Sequence, residues 1–204
     1  EMKALKPSEA FYKAVMEDIG LMRMLPNLVV LNPCDYAQTK AATIAAAKYN
    51  GPVYIRFGRP SVPNFTPEDQ EFEIGKALKM IDGNDVTIFA TGHLVWEAIV
   101  AAEKLAEEGI SAEVIDIHTI KPLDTKAVLE SAAKTKAVVT VEEHLIAGGM
   151  GELVAGLFSR NTPYPVEFVA VDDRFGQSGT PARLMKEYGL DSENIVAAAK
   201  EMCK

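Results

Sequence analysis

The chain has 204 residues, 48% of them hydrophobic and 25% charged, with a formal net charge of −8. This composition argues against a disordered chain, and apolar stretches as short as Ala41–Ala47 argue against a membrane span. The negative charge makes nucleic acid and anionic lipid poor partners.

Residues 1–25 read as helix, with Ser8 as a cap and Phe11, Val15, Ile19 and Met22 recurring at spacings of three and four. Pro26-Asn27 stops it, and Leu28–Leu31 is a short buried strand. Asp35 is the expected N-cap of a helix over Tyr36–Tyr49, which Asn50-Gly51-Pro52 ends with Gly at the C-cap, and Val53–Phe57 is the next strand. Three prolines between Pro60 and Pro67 mark a linker, so we expect one α/β segment at 1–60, a linker at 61–67 and a second domain at 68–204. Glu71–Ile81 meets Asp85–Thr91 (DVTIFAT) across Asp82-Gly83-Asn84, which suggests a hairpin and one antiparallel strand at the side of a parallel set. DVTIFAT, Ala112–Ile117 and Ala137–Val141 each lead into a helical pattern, and three successive βα units require a parallel sheet with right-handed crossovers. Val166–Val171 is a last strand, Pro181–Tyr188 a helix ended by Gly189, and Asp191 caps a final helix towards Met202. The fold class is therefore α/β, mainly parallel with one antiparallel strand, preceded by a smaller α/β piece.

Cys34 and Cys203 form no CxxC, and His93, His118 and His144 fall in no HxH or HExxH pattern, so no metal site is expected; a reducing cytoplasm fits. No charged-then-apolar leader opens the chain, so secretion is not expected. Gly148-Gly149-Met150-Gly151 sits at a strand-to-helix junction, where backbone N–H groups can hold an anion, although close helix packing is the favoured reading because neither GxGxxG nor a P-loop is matched. Glu142-Glu143-His144 reads as a polar loop or subunit contact just after the third strand, with acid/base chemistry as the alternative. Arg56 lies in a strand, and Arg59 just past its end, behind Gly58. Arg59 suits a bidentate grip on phosphate or carboxylate, against which stands an ordinary surface salt bridge. Glu17-Asp18 is no catalytic dyad by itself, since adjacent helical residues diverge.

MEDIGLMRMLPNLVVLNPCDY at 16–36, GPVYIRFGRP at 51–60, DVTIFATG at 85–92, VEEHLIAGGMGE at 142–152 and DRFGQSGTPARLMKEYGL at 173–190 together resemble the C-terminal half of transketolases, especially the split type in which that half is a separate subunit. The resemblance implies that 1–60 is a remnant of a pyrimidine-binding domain and that 68–204 is the transketolase C-terminal domain. It implies transfer of a two-carbon ketol unit between sugar phosphates on thiamine diphosphate with a divalent metal, Mg or Ca, in a cytoplasmic homo-oligomer joined to an N-terminal subunit. Arg59 matches a family arginine that holds the substrate phosphate. In the family a Thr-His-Gln directly precedes a segment like VMEDIGLMR; here Phe11-Tyr12-Lys13-Ala14 stands there, and the upstream Glu motif that activates the cofactor is not present. Most of the pyrimidine domain is therefore expected to be missing between Ala14 and Val15, no catalytic residue is assigned, and neither cofactor nor metal is expected to bind this chain alone. The alternatives are a noncatalytic assembly module and the β subunit of a 2-oxoacid dehydrogenase.

Overall fold

A computed structural model describes residues 9–58, 61–174, 176–177 and 179–204, with the backbone alone over 9–15. In chain order the elements are α1 (Glu9–Arg23), β1 (Val29–Leu31), α2 (Tyr36–Lys48), β2 (Val53–Ile55), β3 (Leu78–Ile81), β4 (Val86–Ala90), α3 (Leu94–Glu107), β5 (Ala112–Asp116), β6 (Thr119–Lys121), α4 (Thr125–Thr135), β7 (Val138–Leu145), α5 (Met150–Arg160), β8 (Val166–Val171), α6 (Pro181–Glu187) and α7 (Ser192–Met202).

Five strands form the larger sheet in the order β3-β5-β4-β7-β8, parallel except for β3. Along β4 the side chains alternate between its two faces, as the two-residue strand period dictates. Val86, Ile88 and Ala90 enter the core covered by α3 and α7, while Phe89 enters the core covered by α4 and α5. Both faces are thus buried by helices, which is why these strands read as near-continuous apolar runs. The smaller sheet has the order β2-β1-β6, with β1 parallel to β2 and antiparallel to β6. Ile19 of α1 and Val30 of β1 share one core cluster with Phe89, Ile115 and Phe158 of the larger sheet and its helices.

The antiparallel strand is present, but the expected hairpin is not: β3 pairs with β5, and both edges of β4 are taken by its parallel neighbours β5 and β7. The turn at 82–84 instead carries the chain over the start of β5, where Asn84 N and Asp85 N both donate to Ser111 O, at 3.0 and 2.9 Å. The α2 helix stops at Lys48; its cap is Tyr49, in an extended conformation with its N–H on Ala46 O, rather than Gly51. Glu142-Glu143-His144 also departs from expectation, since it lies inside β7 with Glu142 and His144 fully buried. The Ser8 cap lies outside the described residues.

Candidate functional site

In a doubly wound sheet the natural ligand crevice lies beyond the carboxyl ends of the strands at the switch point, here beside the end of β4. That place is filled by the chain itself. Asn32, just past β1, donates from its backbone N to His118 O at 2.9 Å, accepts Gly92 N at 3.1 Å, and donates from Nδ2 to Thr91 Oγ1 at 3.2 Å. Gly92 has φ of +60°, and a Cβ there would meet Asn32 Nδ2 at 2.7 Å, so the approach requires glycine.

The open cavity at this level, about 260 Å³, lies at the carboxyl ends of β1 and β2 between Asp35, Tyr36, Phe57, Gly58, Val62 and His93. Its floor is rigidly built. Asp35 caps α2 through Gln38 N at 2.8 Å and also accepts Phe65 N, Thr66 N and Thr66 Oγ1 at 2.9, 2.7 and 2.7 Å, tying the helix start to the linker. Gln38 then donates Nε2 to Asp116 Oδ2 at 2.6 Å and accepts Cys34 N at 2.8 Å.

Asp116 is fully buried, and burial pushes its carboxyl up to about 7; the Cys34 thiol beside it is pushed up by burial as well. A folded-state pKa above the ordinary carboxyl value means that the native chain holds this proton more tightly. The contribution is therefore complete below pH 4 and is lost as pH rises towards 7, at about 1.4 kcal/mol per unit. Asp116→Asn should remove this slope, read as the difference in urea midpoint between variant and parent from pH 5 to pH 8. Parallel pH profiles would show that Asp116 is ionised throughout.

Arg56, which the sequence places inside a strand over Val53–Phe57, lies just past the shorter β2 and is buried. Its Nη2 donates to Glu143 Oε2 and to the Glu143 carbonyl, each at 3.1 Å, and its Nε stands 3.3 Å from Asp18 Oδ1 on α1. Tyr54 OH donates to Asp18 Oδ2 at 2.5 Å, and burial with this bond pushes the phenol up to about 12. Of the Glu17-Asp18 pair, then, Asp18 serves as the partner of Arg56.

Two further contacts hold α1 against the larger sheet. Gly20 N donates to His144 Nε2 at 3.1 Å, and Arg23 Nη1 donates to Gly149 O at 3.1 Å. His144 Nδ1 lies 2.7 Å from Leu145 O, so the ring is held neutral with its proton on Nδ1, and burial lowers its pKa. Burial lowers His93 and His118 too, the latter to about 4.

At Gly148-Gly149-Met150-Gly151 both readings of the sequence meet. Gly149 and Gly151 are closely packed, and the anion at the α5 N-terminus is the chain's own Glu142, which accepts Met150 N at 2.7 Å and Gly151 N at 2.8 Å. Arg59 lies outside the described residues. Among the described residues no cluster of three or more His, Cys, Asp or Glu could hold a metal, and no helix is long and apolar enough to cross a membrane.

The fold and these contacts define an α/β protein in which a five-stranded, mainly parallel sheet covered by helices packs beside a three-stranded mixed sheet, with buried polar contacts from Arg56 and Asn32 joining the two. Family comparison is explicit: residues 75–195 match the transketolase C-terminal domain and residues 13–64 match the transketolase pyrimidine-binding domain. The chain belongs to the transketolase C-terminal domain family. It is 46% identical over 187 residues to the 6-deoxy-6-sulfo-D-fructose transketolase subunit SqwH of Clostridium sp., covering 92% of this chain and 58% of that protein. It is 43% identical over 191 residues to a putative transketolase C-terminal section of Methanocaldococcus jannaschii, covering 92% and 60%. A solved split-gene transketolase, an inactive β4 tetramer, superposes with a TM-score of 0.89 at 46% identity, covering 92% of this chain and 62% of that one. The chain thus spans about three fifths of the length of the relatives it matches.

Transketolases use thiamine diphosphate.

Proposed function

We propose that this chain is the C-terminal subunit, or part of it, of a transketolase that moves a two-carbon ketol unit between sugar phosphates once assembled, and that it is inactive alone. The observation that carries this reading is the order of the two matched domains, pyrimidine-binding at 13–64 and C-terminal at 75–195, together with the description of its relatives as subunits or sections of transketolases. In this reading 1–60 is the pyrimidine-domain remnant, 61–67 the linker and 68–204 the C-terminal domain. An N-terminal subunit brings the site for the diphosphate and its divalent metal, Mg or Ca, and the assembly is a cytoplasmic homo-oligomer of such pairs.

Surface chemistry supports a partner on the first part of the chain. Among the described residues the exposed large hydrophobics are Leu21, Met24, Leu25, Tyr36, Ile44, Tyr49 and Phe57, all before residue 58. Their restriction to this part of the chain supports a partner there. Tyr36 and Phe57 rim the cavity at the carboxyl ends of β1 and β2.

Arg59 follows Gly58 in sequence, and we assign it the remote phosphate of the sugar. In the complex with the N-terminal subunit, Arg59→Ala should remove a charge-assisted bidentate contact. The expected loss is roughly 1.5–3 kcal/mol, or about ten- to a hundredfold in kcat/KM, for phosphorylated ketoses, with little change for unphosphorylated ones. Equal losses on both would return Arg59 to a surface salt bridge.

A further inference from the structure

The carboxylate of Glu143 stands where three parts of the molecule meet. It lies on β7 of the larger sheet and accepts Arg56 Nη2 from the smaller sheet at 3.1 Å, while His93 Nδ1, from the turn after β4, lies 3.7 Å from the same Oε2. The imidazole in turn forms the wall against which Gly58 packs: a Cβ on Gly58 would meet His93 Nδ1 at 2.8 Å. On its other side Arg56 reaches Asp18, which Tyr54 of β2 also holds. Arg56 N closes the last backbone bond of the small parallel pair, to Leu31 O at 2.9 Å. One guanidinium thus joins two carboxylates from two other elements at the point where the chain leaves β2, and the next residues run over His93.

The Arg56 and Glu143 side chains are 4% and 25% exposed, so their ion pair is shielded enough to fix geometry rather than merely decorate a surface. Surface pairs such as Lys126 with Glu130, at 80% and 67% exposure, have no such hold.

We infer that Glu143 is a positioning residue: through Arg56 and against His93, it sets the direction in which the chain leaves β2 at Phe57 and Gly58, the residues that precede Arg59 in sequence. The consequence for phosphate rests on the reading of Arg59 above, whereas the positioning itself rests on Glu143, Arg56, Asp18, His93 and Gly58. On that reading of Arg59 the C-terminal domain has a task in substrate recognition although its own switch-point crevice is closed by Asn32.

The test uses the full chain, isotopically labelled, with Glu143→Gln, Arg56→Lys and the surface control Glu130→Gln. Glu143→Gln keeps shape and backbone carbonyl and removes only the charge, while Arg56 keeps Asp18, so the chain should stay folded with a modestly lowered melting temperature. Backbone order parameters at Phe57, Gly58 and Val62 should fall from about 0.85 to below about 0.6 in Glu143→Gln, less in Arg56→Lys, and not at all in Glu130→Gln, with the β4 amides unchanged. Inorganic phosphate titrated into the same samples should bind about tenfold more weakly to Glu143→Gln, and Arg59→Ala should abolish its response. Unchanged order at Phe57 and Gly58 in Glu143→Gln overturns the inference, whatever phosphate does. Lost order with a phosphate response that ignores Arg59→Ala leaves the positioning role standing and removes the phosphate reading of Arg59.

Discussion

Gly83→Ala should unfold the chain or lower its melting temperature by about 10 °C or more. A Cβ at Gly83 would lie 2.2 Å from the Ala112 carbonyl carbon and 2.3 Å from Glu113 N, main-chain atoms of β5 that cannot swing aside like a side chain. Relief requires β5 to move. That would break the Ser111 clasp, in which Ser111 O takes Asn84 N and Asp85 N while Ser111 N donates to Asp85 Oδ2 at 2.7 Å. It would also shift the register of β5 against both β3 and β4. Overpacking of this kind costs more than about 3 kcal/mol, and a chain of this size loses about 2–4 °C per kcal/mol. Gly156→Ala is the matched control: a Cβ there meets nothing within 4 Å on α5, so helix propensity alone should stabilise by about 0.5–1 kcal/mol. A Gly83→Ala chain that melts like the parent would mean that β5 does not pass under this turn.

Glu142→Ala should cost about 3–5 kcal/mol, read from the urea midpoint at pH 8. The substitution leaves Met150 N and Gly151 N, both buried, without an acceptor at the positive end of α5. It also removes a wall against which Gly149 packs, since a Cβ on Gly149 would sit 2.3 Å from Glu142 Oε1. Burial pushes the Glu142 carboxyl up to about 7 even though the two N–H groups favour the anion. Because the value is raised, protonation of this carboxyl favours the native chain fully below the ordinary pKa, and that contribution is lost as pH rises through about 7. Glu142→Gln keeps one acceptor and should cost less than half as much. Equal effects of Ala and Gln would point to lost volume rather than lost capping.

The outline of the fold was legible in the residues because local signals and long-range structure agree there. Asp35 and Asp191 cap the helices their positions announce, and Val166–Val171 is a strand end to end. What escaped were features defined by a partner far along the chain. Thr119–Lys121 is too short to stand out as a strand and exists because Val30 and Leu31 pair with it. Glu142 and His144 looked like loop residues because a carboxylate and an imidazole inside a strand make sense only beside the α5 N-terminus and Gly20. Strand β3 was given the wrong neighbour because pattern reveals a strand but not the edge it joins. Arg56 falls just past β2 rather than inside it, and its ties to Asp18 and Glu143 span two other elements and leave no trace in local spacing.

The central proposal, that this chain contributes to a ketol transferase but does not carry the cofactor site, is tested most directly by calorimetric titration of the lone chain with thiamine diphosphate and Mg²⁺. In this proposal the N-terminal subunit brings the site for the diphosphate and its metal, and the glutamate motif that activates the cofactor is among the family segments expected to be missing from this chain. The account predicts no saturable heat from the chain alone. Saturable binding in the low-micromolar range, as expected of a site with its own diphosphate and metal anchors, would contradict it.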